Sequence, residues 1–185
     1  MISRFKPQLV LPVGPRDHIR GDPNSPVTLV EYGDYECPFC GEAHAVVDEL
    51  IQRTRGIMKF VFRNFPLATM HPHAELAAEA AEAAGAQGQF WEMHDTLYEN
   101  QTALEPEDLA EYATVLGLDL DRFTNDLATH AYHERIREDF MSGVRSGVNG
   151  TPTFFINGIR HDGSYDLESL QAAVLAARPV HEKAS

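Results

Sequence analysis

The chain has 185 residues, 43% of them hydrophobic, so it is long enough to bury a core as one domain or as a domain with an insertion. Its 15 lysine and arginine residues stand against 28 aspartate and glutamate residues, which gives a formal net charge of −13. This acidic balance argues against a surface that binds nucleic acid or an anionic membrane. The sequence has no run of about 18 apolar residues, so we expect no membrane span.

The first residues of the chain bear on its location. Residues 1–7 include basic side chains but lack the apolar stretch of about 7 to 15 residues that a secretory signal carries before its cleavage site. Taken literally, this pattern predicts a cytoplasmic protein. If a signal had been removed, we would expect a periplasmic or other extracytoplasmic location instead.

The first part of the chain alternates between strand and helix patterns. Residues 27–33 are rich in β-branched side chains and residues 57–62 partly alternate, so both are predicted as strands. Between them, residues 38–55 carry apolar side chains at helical spacing, with Pro38 suited to the first turn and Gly56 to the stop. This strand, helix, strand order predicts two neighbouring parallel strands.

A helical stretch separates this part from a second β region. Residues 73–146 contain helix patterns at 74–84, 90–98, 106–116, 121–128 and from 132 onwards. Strand patterns return at 153–156 and 159–161 around Asn157-Gly158, a strong hairpin signal, and a last helix is predicted at 167–177. We therefore expect an α/β domain made of residues 1–72 and 147–185, interrupted by a helical subdomain at 73–146.

The two cysteines of the chain, Cys37 and Cys40, flank Pro38 and Phe39 at the start of the first predicted helix. Two side chains at this spacing can close a small disulfide ring and open it again when another thiolate attacks a sulfur. A helix N-terminus lowers the pKa of a cysteine from about 8.5 into the range of roughly 3.5 to 7.5. The pattern therefore predicts a redox dithiol, whose direction depends on how far that pKa falls.

Together these features resemble the thioredoxin superfamily and, within it, the DsbA-like branch. Cys37-Pro38-Phe39-Cys40 stands at the motif position, Glu31 lies six residues before Cys37, and Thr151-Pro152 opens the late strand. The helical stretch falls where DsbA-like proteins carry an insertion. The stretch 17–36 also resembles bacterial DsbA-like domains, including some that are appended to sodium/proton antiporters.

The resemblance implies a thioredoxin fold with an inserted helical subdomain, and a thiol–disulfide oxidoreductase that acts on protein or peptide thiols and a redox partner. Cys37 is expected to be the attacking thiolate, being nearer the helix terminus and more exposed, and Cys40 the buried resolving thiol. Glu31 stands in the place of a buried acid, where an apolar setting would raise its pKa and let it relay the proton of Cys40. The alternative is that Glu31 points to solvent.

The same resemblance implies that the Thr151–Pro152 bond is cis and packs beside the cysteines. Because proline has no N–H and a fixed φ, the backbone of Thr151 would stay free to pair with an extended substrate strand. Pro38 and Phe39 are the other expected substrate contacts. The alternative is an ordinary trans turn before a strand.

Three other functions fit parts of the sequence. A zinc site would combine the cysteines with two histidines, the nearest being His44, His71 and His73, but no second ligand pair has the spacing of a zinc motif. A glutathione-linked isomerase or transferase of the same fold would usually carry serine in place of Cys37. A peptide-binding, chaperone-like module would leave the dithiol incidental.

The remaining expectations concern the insertion and the assembly. A set of side chains with helical spacing is predicted to form the core of the insertion, with a peptide-binding surface as the alternative: Phe90, Trp91, Met93, Leu97 and Tyr98. No metal or organic cofactor is implied, because the sulfurs hold the electrons. We see no dimerisation domain of the isomerase type and expect a monomer. The sequence leaves open the direction of electron flow, the substrates and the regenerating partner.

Overall fold

The computed structural model describes residues 6–179, which contain a five-stranded mixed sheet. Its strands are β1 (His18–Arg20), β2 (Val27–Gly33), β3 (Met58–Asn64), β4 (Thr153–Ile156) and β5 (Ile159–Arg160). They lie in the order β1-β3-β2-β4-β5. The central neighbours β2 and β3 run parallel, and the other neighbouring pairs are antiparallel.

Seven helices occur in the same residues: α1 (Pro38–Arg53), α2 (Ala74–Gly85), α3 (Phe90–Glu99), α4 (Pro106–Val115), α5 (Leu120–Ala128), α6 (His133–Arg145) and α7 (Leu167–Ala176). Helix α1 follows β2 directly and places Pro38 in its first turn, where the missing N–H of proline is not needed. Between residues 6 and 179, no helix has the length and apolar character needed to cross a membrane.

Most predicted elements are confirmed, and the sheet shows two differences. Asn157 and Gly158 adopt positive φ values of 48° and 80° in the hairpin between β4 and β5, as the Asn-Gly pair indicated. Strand β3 starts one residue later than predicted and continues to Asn64. Strand β1 was not predicted, because a three-residue edge strand is too short to show an alternating pattern.

Two hydrophobic clusters cover the two faces of the sheet, because successive side chains of a strand point to opposite sides. Leu29 lies in the first cluster together with both cysteines and apolar residues of the inserted helices. Val30 and Tyr32 lie in the second cluster. Glu31 alternates with Val30 and Tyr32 and therefore shares the face of Leu29, on which the cysteines lie.

Helices α2 to α6 follow β3 and precede β4, and their apolar side chains extend the first cluster. The predicted core of the insertion is confirmed for four of its members, which are buried: Phe90, Met93, Leu97 and Tyr98. Trp91 is half-buried, donates a hydrogen bond to the Ile19 carbonyl and lies under the guanidinium of Arg20. The division into a helical subdomain at 73–146 and a discontinuous domain at 1–72 and 147–185 stays a prediction.

A buried ion pair ties the segment before β1 to the sheet. The guanidinium of Arg63 on β3 donates to both carboxylate oxygens of Asp17 at 2.8 and 3.1 Å, and both side chains are fully buried. It also donates to the Leu11 carbonyl and the Tyr32 hydroxyl. The charge of Arg63 is therefore balanced by the Asp17 carboxylate, while its other N–H groups donate to neutral oxygen atoms.

We expect Asp17→Asn to lower the free energy of unfolding by about 3–5 kcal/mol, because the Arg63 guanidinium would stay buried without its counter-charge. Urea denaturation would measure the change. The matched control is Glu49→Gln: Glu49 also lies 2.8 Å from an arginine, Arg53, but these two side chains are 51% and 47% exposed. Its loss should stay below about 1 kcal/mol. Equal losses in the two variants would contradict the prediction.

Candidate active site

The two cysteines lie at the start of α1, 3.9 Å apart. Cys37 is the N-cap residue with an extended backbone, and its carbonyl oxygen accepts hydrogen bonds from the N–H groups of Cys40 and Gly41 at 3.0 and 3.2 Å. Cys40 is in the first turn. This geometry places both sulfurs on one end of the helix, where a reversible disulfide can close.

Several donors around the sulfur of Cys37 favour its thiolate form. The Cys40 thiol makes the strongest contribution, and N–H groups of Cys40 and Phe39 add to it, so the pKa of Cys37 falls to about 5 although burial opposes the shift. When protonated, the thiol can donate to the Thr151 carbonyl oxygen, 3.5 Å away. Cys37 is 3% exposed, against 0% for Cys40, so the expected difference in exposure is small.

The surroundings of Cys40 have the opposite effect. Burial raises the pKa of this thiol well above its usual value, and the hydrogen bond to Cys37 and the charge of Glu31 raise it further. At neutral pH the reduced pair therefore holds one proton, and it resides on Cys40. Two residues of the same type, one helical turn apart, differ in protonation because of their environments.

Glu31 lies under the site on β2 and is only 2% exposed, so the alternative in which it points to solvent is wrong. Burial, followed by the charge of Cys37, raises the pKa of its carboxyl group from 4.5 to about 8. Within the described residues, its Oε1 atom has no hydrogen-bond partner. A carboxyl group with a pKa of about 8 can accept or give up a proton at physiological pH, and this one lies beside two thiols.

The expected substrate contacts surround Cys37. The Thr151–Pro152 peptide bond is cis, and the carbonyl of Thr151 faces the Cys37 sulfur. Pro38 is exposed and Phe39 is 57% exposed, which is unusual for a large apolar side chain. The cysteine motif thus presents an exposed apolar surface, formed by Pro38 and Phe39, on one side. On its other side lies the backbone carbonyl of Thr151.

Two polar side chains that the sequence analysis missed hold this loop in place. Gln101, which follows α3, donates from Nε2 to the carbonyl oxygens of Tyr35 and Cys37, each at 2.8 Å. A Cβ atom at Gly41 would collide with the same amide, so a larger residue there would force the Gln101 side chain to move. No sequence pattern marks Gln101, since its contacts lie more than sixty residues away in the chain.

Asp34 is the other missed residue, and it is almost fully buried. Its Oδ1 accepts from the Glu36 N–H, while its Oδ2 accepts from the Leu67 N–H and bonds His71 Nδ1, each at 2.8 Å. Although burial alone would lower it, the pKa of His71 is raised by this carboxylate. In an Asx turn, an Asp side chain accepts a hydrogen bond from the backbone N–H two residues later in the chain. This pattern could have identified Asp34 from the sequence.

The zinc alternative finds no support in this geometry. His71 pairs with Asp34, His73 pairs with Glu36 at 2.8 Å, and the ring of His44 stacks on Tyr98. Among residues 6–179, the groups of side chains that are close enough to share a metal ion contain neither cysteine.

Comparison with known proteins agrees with this geometry. A family model described as Thioredoxin matches residues 14–176. Among curated proteins, the chain is 55% identical over 170 residues to the Na(+)/H(+) antiporter NhaA 1 of Salinispora arenicola, covering 91% of this chain but 26% of the antiporter. The chain thus spans about a quarter of the length of this relative.

Solved structures show the same fold. BdbD from Bacillus subtilis matches with a TM-score of 0.82 at 23% identity, over 93% of this chain and 96% of BdbD. A thioredoxin-like oxidoreductase from Silicibacter pomeroyi matches with a TM-score of 0.79 at 29% identity, over 89% and 93%. For α-DsbA1 of Wolbachia pipientis the TM-score is 0.77 at 22% identity, over 91% and 94%. The chain therefore belongs to the thioredoxin family and has the thioredoxin fold of DsbA-like proteins.

Proposed function

We propose that this chain is a thiol–disulfide oxidoreductase that exchanges disulfides with protein or peptide substrates through Cys37 and Cys40. The observation that carries the proposal is the opposite shift of the two thiol pKa values: Cys37 to about 5 and Cys40 upwards. A thiolate at neutral pH is both a nucleophile and a good leaving group, and a protonated neighbour does not compete with it. The likeness to an oxidoreductase at 29% identity supports the same reaction class.

The reaction balances without a cofactor. A substrate thiolate attacks the Cys37 sulfur of the disulfide form, the Cys37–Cys40 bond breaks, and Cys40 leaves as a thiolate that takes up a proton. A second substrate thiolate then attacks the substrate sulfur of the mixed disulfide and releases Cys37 as a thiolate. Two electrons have passed from the substrate to the pair. The reverse sequence reduces a substrate disulfide, with Cys40 as the resolving thiol.

Glu31 is proposed to handle the proton of Cys40. In the reducing direction, Cys40 must lose its proton before it can attack the mixed disulfide, and burial opposes its ionisation. A carboxylate with a pKa of about 8 on the same face of the sheet is a suitable acceptor. In the oxidising direction the protonated carboxyl would return that proton to the leaving Cys40.

The backbone beside Cys37 is proposed to bind an extended substrate segment. Thr151 and Pro152 are partly exposed next to the sulfur, and the Oγ1 of Thr151 has no partner within residues 6–179. A segment paired with this backbone would bring its cysteine to Cys37, with Phe39 as an apolar contact. The partners would be protein or peptide thiols, together with a redox partner that regenerates the pair.

The first prediction concerns the two cysteines. Cys37→Ser should reduce disulfide exchange with a dithiol peptide to the rate without protein, because no attacking sulfur remains. With the disulfide form of the same peptide, Cys40→Ser should instead accumulate the mixed disulfide, since the Cys37 thiolate attacks the peptide disulfide and the resolving thiol is lost. Mass spectrometry of quenched mixtures distinguishes the two outcomes. Exchange that persists in Cys37→Ser would favour a peptide-binding module in which the dithiol is incidental.

The second prediction concerns Glu31. Glu31→Gln should slow the attack of Cys40 on the mixed disulfide by about 10²- to 10⁴-fold, the usual contribution of a general base. In the unsubstituted protein this rate should rise with pH as Glu31 ionises, at a pKa that burial keeps raised but that lies below about 8, because Cys37 carries no charge in the mixed disulfide. The variant should lack that rise. Glu49→Gln on the exposed side of α1 serves as the control, and identical pH profiles in both variants would exclude the role of Glu31.

The same substitution should change stability in a pH-dependent way. The carboxyl group ionises near pH 4.5 when unfolded and near pH 8 when folded, so between these values the folded state binds the extra proton. Stability contributed by the neutral carboxyl is therefore lost as pH rises through this window. Glu31→Gln avoids this loss, and we expect urea denaturation to show a gain at pH 8 but little change at pH 4. A gain of equal size at both values would contradict the assigned pKa.

A further prediction concerns the reduction potential. The attacking cysteine has a pKa of about 7 in thioredoxin and about 3.5 in DsbA, with potentials of about −270 and −120 mV. A pKa of about 5 for Cys37 lies between them. We therefore expect a potential of about −200 mV, measured by equilibration in glutathione buffers and thiol trapping. A potential outside the range between thioredoxin and DsbA would show that the pKa of Cys37 does not determine the reduction potential.

A further inference from the structure

Two buried oxygen atoms near the cysteine pair have no hydrogen-bond partner among residues 6–179: Oε1 of Glu31 and the hydroxyl oxygen of Tyr98. Glu31 lies on β2 and is 2% exposed, while Tyr98 lies on α3 and is 7% exposed. Buried polar atoms in folded proteins almost always have a partner, because burial without one is costly. These two atoms therefore call for an explanation in terms of the site that they adjoin.

The Tyr98 hydroxyl reaches the face of β2 that carries Glu31. Side chains two residues apart on a strand point to the same side, so a Cβ atom at Gly33 would share that face with Glu31. Such an atom would lie only 2.8 Å from the Tyr98 hydroxyl oxygen. The phenol therefore lies against β2 beside Gly33, at a point about 6.7 Å along the strand from Glu31.

The charges of the site connect Tyr98 with both Glu31 and Cys40. Burial raises the pKa of the Tyr98 phenol well above its usual value, and the charges of Cys40 and Glu31 raise it further. The charge of Glu31 likewise raises the pKa of the Cys40 thiol. A phenol with so high a pKa keeps its proton at neutral pH, so Tyr98 can donate a hydrogen bond without giving up the proton.

We propose that one buried water molecule bridges the Tyr98 hydroxyl, the Glu31 carboxyl group and the Cys40 thiol. A buried water needs two to four polar partners, and these three groups supply them. Two hydrogen bonds of about 2.7–2.8 Å through one water join oxygen atoms that lie up to about 5.5 Å apart. The bridge thus gives both unpaired oxygen atoms a partner that neither offers the other directly.

The bridge supplies a route for the proton of Cys40, and in this respect it rests on the proposed disulfide exchange. As Cys40 attacks the mixed disulfide, its thiol gives a proton to the water, and the water gives one of its own protons to the Glu31 carboxylate. The new bond to Cys37 forms, the substrate thiolate leaves, and the water is restored. Tyr98 is a positioning residue, because its hydroxyl holds the water in place and keeps its own proton throughout.

Other titratable side chains pack around this site from α1, from α3 and from the turn between β2 and α1. They are Cys37, His44, His94, Asp34 and Tyr35. The ring of Tyr35 lies 4.9 Å from that of Tyr98, but its hydroxyl already bonds His94 Nδ1 at 3.0 Å. Burial lowers the pKa of His94, so this ring is neutral near pH 7. Tyr35 is therefore a matched control: a buried phenol of the same aromatic cluster whose hydroxyl is bonded elsewhere.

The test is a titration of Glu31 by NMR in the oxidised protein, with ¹³C-labelled glutamate carboxyl groups and Glu31→Gln to identify the resonance. This form performs no exchange, so the readout does not depend on activity. Tyr98→Phe should raise the midpoint by about one pH unit, a tenfold change in the ionisation equilibrium, because the water then supports the ionised carboxylate less well. Tyr35→Phe should leave the midpoint unchanged.

The pH dependence of the attack of Cys40 on the mixed disulfide gives a second readout, and Tyr98→Phe should move it in the same direction. Equal Glu31 midpoints in the unsubstituted protein and in Tyr98→Phe would overturn the bridge, and so would equal shifts in the two tyrosine variants. Either result would leave the proposed exchange reaction standing. Absence of exchange in the unsubstituted protein would instead contradict the proposed function, while the NMR titration would still decide on the bridge.

Discussion

The carboxylate of Asp34 holds together the segments that meet at the cysteine pair. It accepts backbone hydrogen bonds from the turn that enters α1 and from the loop that follows β3, and it bonds His71 in that loop. The carbonyl of the same residue accepts from the Cys37 N–H. A buried carboxylate that satisfies donors from two loops fixes their separation, since leaving any of those donors unpaired would cost about 1–3 kcal/mol. The hydrogen bonds to Asp34 therefore fix the position of the two cysteines.

The Gln101 side chain connects the helices between β3 and β4 to the segment that carries the cysteines. One amide group bonds the carbonyls of Tyr35 and Cys37, so the residue that follows α3 contacts the backbone of Cys37 directly. The helices between β3 and β4 therefore contribute to the surroundings of the cysteine pair as well as covering the sheet. The two thiols acquire opposite character although both lie in the first hydrophobic cluster: N–H donors surround the Cys37 sulfur, whereas Cys40 is fully buried and near the charge of Glu31. The pKa values of Cys37 and Cys40 therefore differ because of their positions in the fold, since the residue type is the same.

The local elements of this structure could be predicted from the sequence, but only some of its long-range contacts could. Helix α1 and the β4–β5 hairpin follow from apolar spacing and from Asn157-Gly158, which act over a few residues. The burial of Glu31 could be expected only through the resemblance, because strand alternation does not say which face is covered. The role of Gln101 could not be predicted, since its partners are brought together by tertiary packing. Strand β1 depends on pairing with β3 and not on its own residues.

The contact between Cys37 and the Thr151 carbonyl joins residues that are 114 positions apart. Ribosomes add about 5–20 residues per second, so Thr151 follows Cys37 into the growing polypeptide after roughly 6 to 23 seconds. Throughout that interval the nascent chain presents its two thiols without the backbone that completes their surroundings. The surroundings of its dithiol are therefore complete only after β4 has begun to be made, and oxidation before that point would act on a chain whose sheet still lacks this strand.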